Sequence, residues 1–169
     1  MAEEWSKLSH CKRRQVGALI VKDKMIISDG YNGTPTGFEN PCEDDEGYTK
    51  WYVLHAEANA IAKVSGSTQS TNGATLYITL SPCRECSKLI FQSGIKRIVY
   101  SKKYKDQSGM EFLISSSVCI IKYPLLEVYC MHKVRLFAEH RVFVEYLLDF
   151  FPHLGYLYLH AGLRCGDLL

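Results

Sequence analysis

The sequence predicts an α/β sandwich, and three observations carry that prediction. Apolar, β-rich runs alternate with helix-forming runs from about residue 53 onward, the pattern of strands joined by crossover helices. Two of the helical runs open directly after a strand or a loop, which places their N-termini on one side of a sheet. Both open on residues that carry chemistry: "LHAEANAI" at 54–61 and "SPCRECSKLI" at 81–90.

The elements follow in order. "VGALIVKD" (16–23) and "KMIISDGYN" (24–32) are apolar and β-rich, with Asp23 and Lys24 between them, and they read as a hairpin. "GYNGTPTGFENPCEDDEG" (30–47) is dense in Gly, Pro, Asn and Asp, and loops this long inside a domain are usually functional or disordered. "VLHAEANAIAKVSG" (53–66) is rich in helix formers and stops at Gly66, with Leu54, Ala58, Ile61 and Ala62 expected on one face. "ATLYITLS" (74–81) alternates as a strand. "CRECSKLIFQSG" (83–94) reads as a helix, with Pro82 suited to its first turn and Gly94 to its C-terminal cap. "IKRIVYS" (95–101) is a strand, "MEFLISSS" (110–117) a short helix and "VCIIKY" (118–123) a last strand. The order is ββ-α-β-α-β-α-β.

Composition narrows the function classes. With 47% hydrophobic residues among 169, the chain can build a real core. A formal net charge of +2 gives no strong attraction to nucleic acid over the whole chain, and no nucleic-acid partner is expected. The opening "MAEEWSKLSHCKRR" lacks the pattern of a signal peptide, and no apolar run reaches the length of a membrane span. The expected compartment is the cytoplasm. Seven cysteines, an odd number, argue against a disulfide framework there and favour reduced thiols and metal ligation.

Zinc explains the two helix starts together. A catalytic zinc takes three protein ligands from Cys and His and leaves a fourth position for water. Cys83 and Cys86, three apart at a helix start, present both thiols on one face. A helix N-terminus also favours the thiolate form. His55 supplies a third ligand, and Glu57, no ligand itself, stands where a carboxylate takes a proton from water that the metal has acidified. Alone, Cys-x-x-Cys also fits a redox pair or buried small side chains, and His-x-Glu fits a solvated helix start. Combined, H-x-E and P-C-x-x-C form the signature of zinc deaminases.

Residues 5 to 126 resemble the deoxycytidylate (dCMP) deaminases of the cytidine deaminase superfamily. The similar stretches are "CKRRQVGALIV", "GYNGTPTGFEN", "KWYVLHAEANAI", "ATLYITLSPCRECSKLI" and "GIKRIVY". The resemblance implies a three-layer α/β/α sandwich around a five-stranded mixed sheet. It implies hydrolytic deamination of dCMP to dUMP and ammonia, supplying dUMP for thymidylate synthesis. One catalytic zinc would be held by His55, Cys83 and Cys86. Glu57 would deprotonate the water, protonate N3 and deliver a proton to the leaving amine, and the backbone around Ala56 and Ser81 would hold the base edge.

The resemblance also bears on other residues. Asn32 matches an asparagine that related deaminases use near the sugar, and it equally fits a plain turn before Gly33. The segment Gly30, Tyr31, Asn32 and Gly33 is linked in the family to a regulatory nucleotide site, with dCTP activating and dTTP inhibiting. Lys12, Arg13 and Arg14 offer phosphate a cationic grip, or form a solvated helix end. Tyr104 either stacks on a base or lies at the surface. Cys11 and Cys42 raise the question of a second, structural zinc, but no histidine precedes His55 in the intervening loop, so one zinc is expected. A homo-oligomer is expected.

Residues 1–126 therefore read as a zinc-dependent deaminase domain and 127–169 as an atypical C-terminal extension. The first helix is expected to be shorter than a full N-terminal helix of the family. The extension is rich in aromatics and holds four histidines, His132, His140, His153 and His160. Phe137, Val144, Leu148 and Phe151 are expected to form one helical stripe, while Arg135, Glu139, Arg141, Glu145 and Asp149 forbid a membrane span. No catalytic role is expected of it. Two other functions fit the motifs: a tRNA adenosine deaminase, or other nucleoside or nucleotide deaminase, and an inactive zinc-stabilised binding module. A more basic surface would favour the tRNA enzyme. The presence of Glu57 disfavours the inactive module.

Overall fold

The computed structural model describes residues 1–123 and the backbone of 128–129. The expectations for the extension, its helical stripe and its histidines lie outside the described residues. The elements are α1 (Ala2–Ser6), β1 (Gly17–Lys22), β2 (Met25–Tyr31), α2 (Ala56–Ser65), β3 (Thr75–Leu80), α3 (Arg84–Gln92), β4 (Arg97–Lys102), α4 (Ser108–Ser115), β5 (Cys119–Lys122) and β6 (Val128–Tyr129).

The strands form one mixed sheet in the order β2-β1-β3-β4-β5-β6. The five expected strands are its body, and the two-residue β6 pairs antiparallel with β5. Strands β3, β4 and β5 run parallel, as strands joined by crossover helices must. The hairpin turns at Asp23 and Lys24, both at positive φ (49° and 63°), the backbone that a tight two-residue turn between twisted strands requires.

Register sets the core. Ile20, Leu76, Ile98 and Ile120 lie side by side across β1, β3, β4 and β5, and Ala18, Ile78 and Tyr100 form a second row on the same face. All are buried, together with Ala60 and Val64 of α2, Ile90 of α3 and Leu113 of α4. These three helices thus cover one face. Helix α1 covers the other: Trp5 Nε1 donates to Asp29 Oδ2 at 2.8 Å, and Asp29 alternates with Gly30, which faces α2. Three layers result.

The buried face of α2 differs from the expected one. Ala56, Ala60 and Val64 are its enclosed apolar residues, Leu54 precedes the helix, and Ile61 is only partly covered. The cause is Gly30. A Cβ there would stand 2.3 Å from the Ala56 carbonyl oxygen and 2.7 Å from the Ala60 nitrogen. Helix and strand approach so closely that only alanine-sized side chains fit between them. Ser28 Oγ, donating to the Ala60 carbonyl, and Asn59 Nδ2, donating to the Tyr31 carbonyl, fasten the two. Gly30→Ala is therefore expected to cost at least about 1–3 kcal/mol, the usual range for overpacking. It should push the start of α2, with its site residues, off the sheet. A parent-like melting temperature for that variant would contradict the contact.

Helix α3 starts one turn-position later than expected. Cys83 is its N-cap in extended conformation, so Pro82 stands just outside the helix, fully buried. Gly94 (φ 79°) ends it as expected, in the left-handed backbone that terminates helices.

The long loop before α2 is ordered by its own backbone. Gly33 and Leu54 exchange hydrogen bonds at 3.1 and 2.9 Å, closing its base. Within it, Lys50 N–H donates to the Cys42 carbonyl at 2.8 Å and Asp44 N–H to the Tyr48 carbonyl at 2.9 Å, forming a small hairpin. Cys42 is disulfide-bonded to Cys11. That corrects the expectation of reduced thiols at these two positions. They are 31 residues apart, and only the fold of the loop back over the N-terminal segment brings them together. No helix among the described residues is long and apolar enough to cross a membrane.

Candidate active site and metal centre

Two helix starts build the centre. His55 is the N-cap of α2 and Cys83 the N-cap of α3, and neither side chain caps its own helix. Both side chains are thus left to face each other. Cys86 sits in the first turn of α3, buried. His55 Nδ1 lies 3.5 Å from Cys83 Sγ and 3.3 Å from Cys86 Sγ. All three ligand atoms fall within 4.8 Å of one another, the one such group of three among the described residues. One imidazole and two thiols at this spacing fit zinc, which prefers nitrogen and sulfur in a tetrahedron. Gly109 at the start of α4 lets the cluster pack: a Cβ there would meet the Cys83 carbonyl carbon and oxygen, both at 2.9 Å.

The electrostatics agree with a cation site. The Cys83 thiol is pulled down to about 3, first by a hydrogen bond from Cys86 and also by His55. Cys86 is pushed up, first by that same hydrogen bond to Cys83 and then by burial. Without a metal the two sulfurs thus share one proton, and a bound cation displaces it. The His55 imidazole is raised by its hydrogen bond to Cys83, against burial.

Glu57 is 4% exposed, in the first turn of α2. Burial pushes its carboxyl up to about 7. The charge of His55 acts against that rise.

A cavity of about 210 Å³ opens over the cluster. The structure brings His55, Ala56, Glu57, Ser81, Cys83, Asn32, Arg13, Arg14 and Tyr104 to its lining. Of the metal cluster, only Cys86 lies behind the wall, and Gly30, Tyr31 and Gly33 are not among the lining residues. Several of the gathered side chains hold backbone. Ser81 Oγ accepts from the Tyr104 N–H at 2.8 Å, joining the ends of β3 and β4. Asn32 Oδ1 accepts from the Val16 N–H at 2.7 Å, and its Nδ2 donates to the Arg14 carbonyl at 2.8 Å. The Arg14 guanidinium lies over the Tyr104 ring, 5.3 Å from its centre. Sequence reasoning missed Glu43, Val53 and Lys105, which also line the cavity. Glu43 and Lys105 lie in separate loops that carry no motif, and Val53 lies just ahead of H-x-E, so only the fold brings the three together.

Residues 1–102 match the cytidine and deoxycytidylate deaminase zinc-binding region. The chain belongs to that family. It is 32% identical over 154 residues to the deoxycytidylate deaminase of enterobacteria phage T4, covering 66% of this chain and 80% of the relative. It is 40% identical over 109 residues to that of Mycobacterium phage D29, covering 56% and 84%. Among solved structures it resembles the dCMP deaminase of cyanophage S-TIM5, determined in complex with dCMP and dUMP. That match has 44% identity and a TM-score of 0.70 and covers 72% of this chain and 90% of the other. The fold is that of the family, and His55, Cys83 and Cys86 form a candidate metal site within its zinc-binding region.

Proposed function

We propose that this protein deaminates dCMP to dUMP, releasing ammonia. The observation that carries the proposal is the placing of Glu57 and the His55–Cys83–Cys86 cluster under a cavity with Arg13 and Arg14 in its wall. Zinc, when bound, supplies a Lewis acid that brings the pKa of water from ~15.7 to about 7. The chain's own residues do the rest. Glu57 takes a proton from the attacking water and gives it to N3 of the ring. The C4–O bond forms, Glu57 relays the second proton to the exocyclic nitrogen, the C4–N bond breaks and ammonia leaves. A carboxyl raised by burial toward neutral pH suits a group that must both accept and return protons.

The wall supports a nucleotide. A 5′-phosphate brings negative charge to Arg13, Arg14 and Lys105, and arginine can grip it bidentately. The apolar side chains of Val16, Val53 and Leu80 suit a pyrimidine and a sugar without a 2′-hydroxyl. Replacing Arg13 and Arg14 together by alanine should raise KM for dCMP about tenfold or more, as expected for charge-assisted hydrogen bonds, with less effect on deoxycytidine. Equal effects on both substrates would count against the phosphate grip.

Control by dCTP and dTTP and assembly into a homo-oligomer belong to the same proposal and rest on the resemblance. The role of residues 127–169 as an extension without catalytic function belongs to it too, because the resemblance ends before them. Adding each nucleotide to the dCMP assay, and sedimentation of the purified chain, test the first two.

A further inference from the structure

We infer that Glu43 is a positioning residue: it holds the backbone of the Lys12–Arg14 segment so that the arginines face the substrate phosphate. The inference rests on the dCMP assignment above and adds to it a residue in neither signature motif.

Glu43 is 9% exposed, an unusual place for a carboxyl group. Its Oε1 accepts two hydrogen bonds, from the Lys12 N–H at 3.0 Å and the Arg13 N–H at 3.2 Å. Its Oε2 is enclosed and has no partner. A buried polar atom left so is costly, and the side chain is intelligible only through what Oε1 holds. Glu43 itself is held firmly. It pairs with Thr49 in the small hairpin of the long loop, and its neighbour Cys42 is bonded to Cys11.

The basic segment is thereby fixed from two sides. Glu43 takes the N–H groups of Lys12 and Arg13, and Asn32 takes the Arg14 carbonyl and the Val16 N–H. Four successive backbone contacts leave the segment little freedom. Its two arginine side chains emerge into the cavity wall. An arginine on a free loop would lose entropy on gripping phosphate; one on a fixed loop loses less, and the gain appears as affinity for the nucleotide. The nucleoside lacks the phosphate and gains nothing. Glu43 therefore favours the monophosphate over the nucleoside through the arginines it positions.

The test measures binding by calorimetry, with zinc-loaded protein in which Glu57→Gln blocks turnover. Two probes, dCMP and deoxycytidine, are titrated into that parent and into its Glu43→Ala and Glu43→Gln derivatives. Glu43→Ala should weaken dCMP about tenfold, the combined worth of two hydrogen bonds, and change deoxycytidine by less than about twofold. Glu43→Gln keeps a carbonyl acceptor and should stay within about threefold of the parent for dCMP. Should the alanine variant not fold, Glu43→Met, of similar length and without an acceptor, replaces it with the same expectation. Unchanged dCMP affinity in the alanine or methionine variant overturns the inference. So does equal weakening of both probes, or a glutamine variant as weak as alanine. If the parent binds dCMP no better than deoxycytidine, the phosphate grip fails and this inference with it. If the parent prefers dCMP and Glu43 proves indifferent, the inference alone fails.

Discussion

Glu57→Gln should retain zinc, fold and nucleotide binding and lose nearly all deamination. General acid–base help is worth roughly 10²–10⁴-fold. Here one carboxyl moves several protons, so a loss of about 10⁴-fold or more is expected. The geometry isolates the effect. Glu57 is buried in the first turn of α2, two residues past His55, yet it is not one of the three clustered ligand atoms. Glutamine fills the same space and cannot ionise. Metal analysis, a melting curve and an ammonia assay on one preparation suffice. A variant that deaminated dCMP near the parent rate would refute the proton-transfer role even with zinc in place.

Cys83→Ser should lose the metal. Cys83 is one of the three residues of the candidate metal site, and its thiol is already pulled down to about 3 by Cys86 and His55, so it is the sulfur most ready to bind as thiolate. A serine hydroxyl is a far poorer zinc donor at neutral pH. Zinc measured by elemental analysis should fall well below one equivalent per chain, and activity should fall with it. Melting temperature should fall too, because a metal that binds only the folded chain stabilises it. Full zinc occupancy in this variant would sink the ligand assignment. The two variants are complementary: one keeps metal and loses chemistry, the other loses both.

Much of this site was legible in the sequence because its parts are local. His55 and Glu57 are two apart and Cys83 and Cys86 three apart, and each pair sits at a helix start whose strand or loop context was readable. The hairpin at Asp23 and Lys24 was legible for the same reason. What escaped depended on contacts between distant segments. Gly30 read as part of a nucleotide-binding stretch; in the fold it lets α2 approach β2, and so it decides that Ala56, Ala60 and Val64 form the buried face. Asn32 read as either a sugar contact or a turn residue; its side chain spans to Arg14 and Val16, a pairing that no periodicity encodes. Cys11 and Cys42 read as reduced thiols because the cysteine count is odd, and nothing local in the sequence shows the loop folding back to join them across 31 residues. Glu43 lay in an acidic run, "CEDDEG", and acidic runs are usually solvated. Its burial follows from the small hairpin that turns it inward.

The most direct test of the central claim is ammonia release from dCMP, CMP, deoxycytidine and adenosine, measured side by side with zinc-loaded protein. The account predicts release from dCMP at the highest kcat/KM, with deoxycytidine clearly poorer for want of a phosphate and adenosine inert. Adenosine turnover above dCMP turnover, or no ammonia from any of the four despite bound zinc, would contradict it.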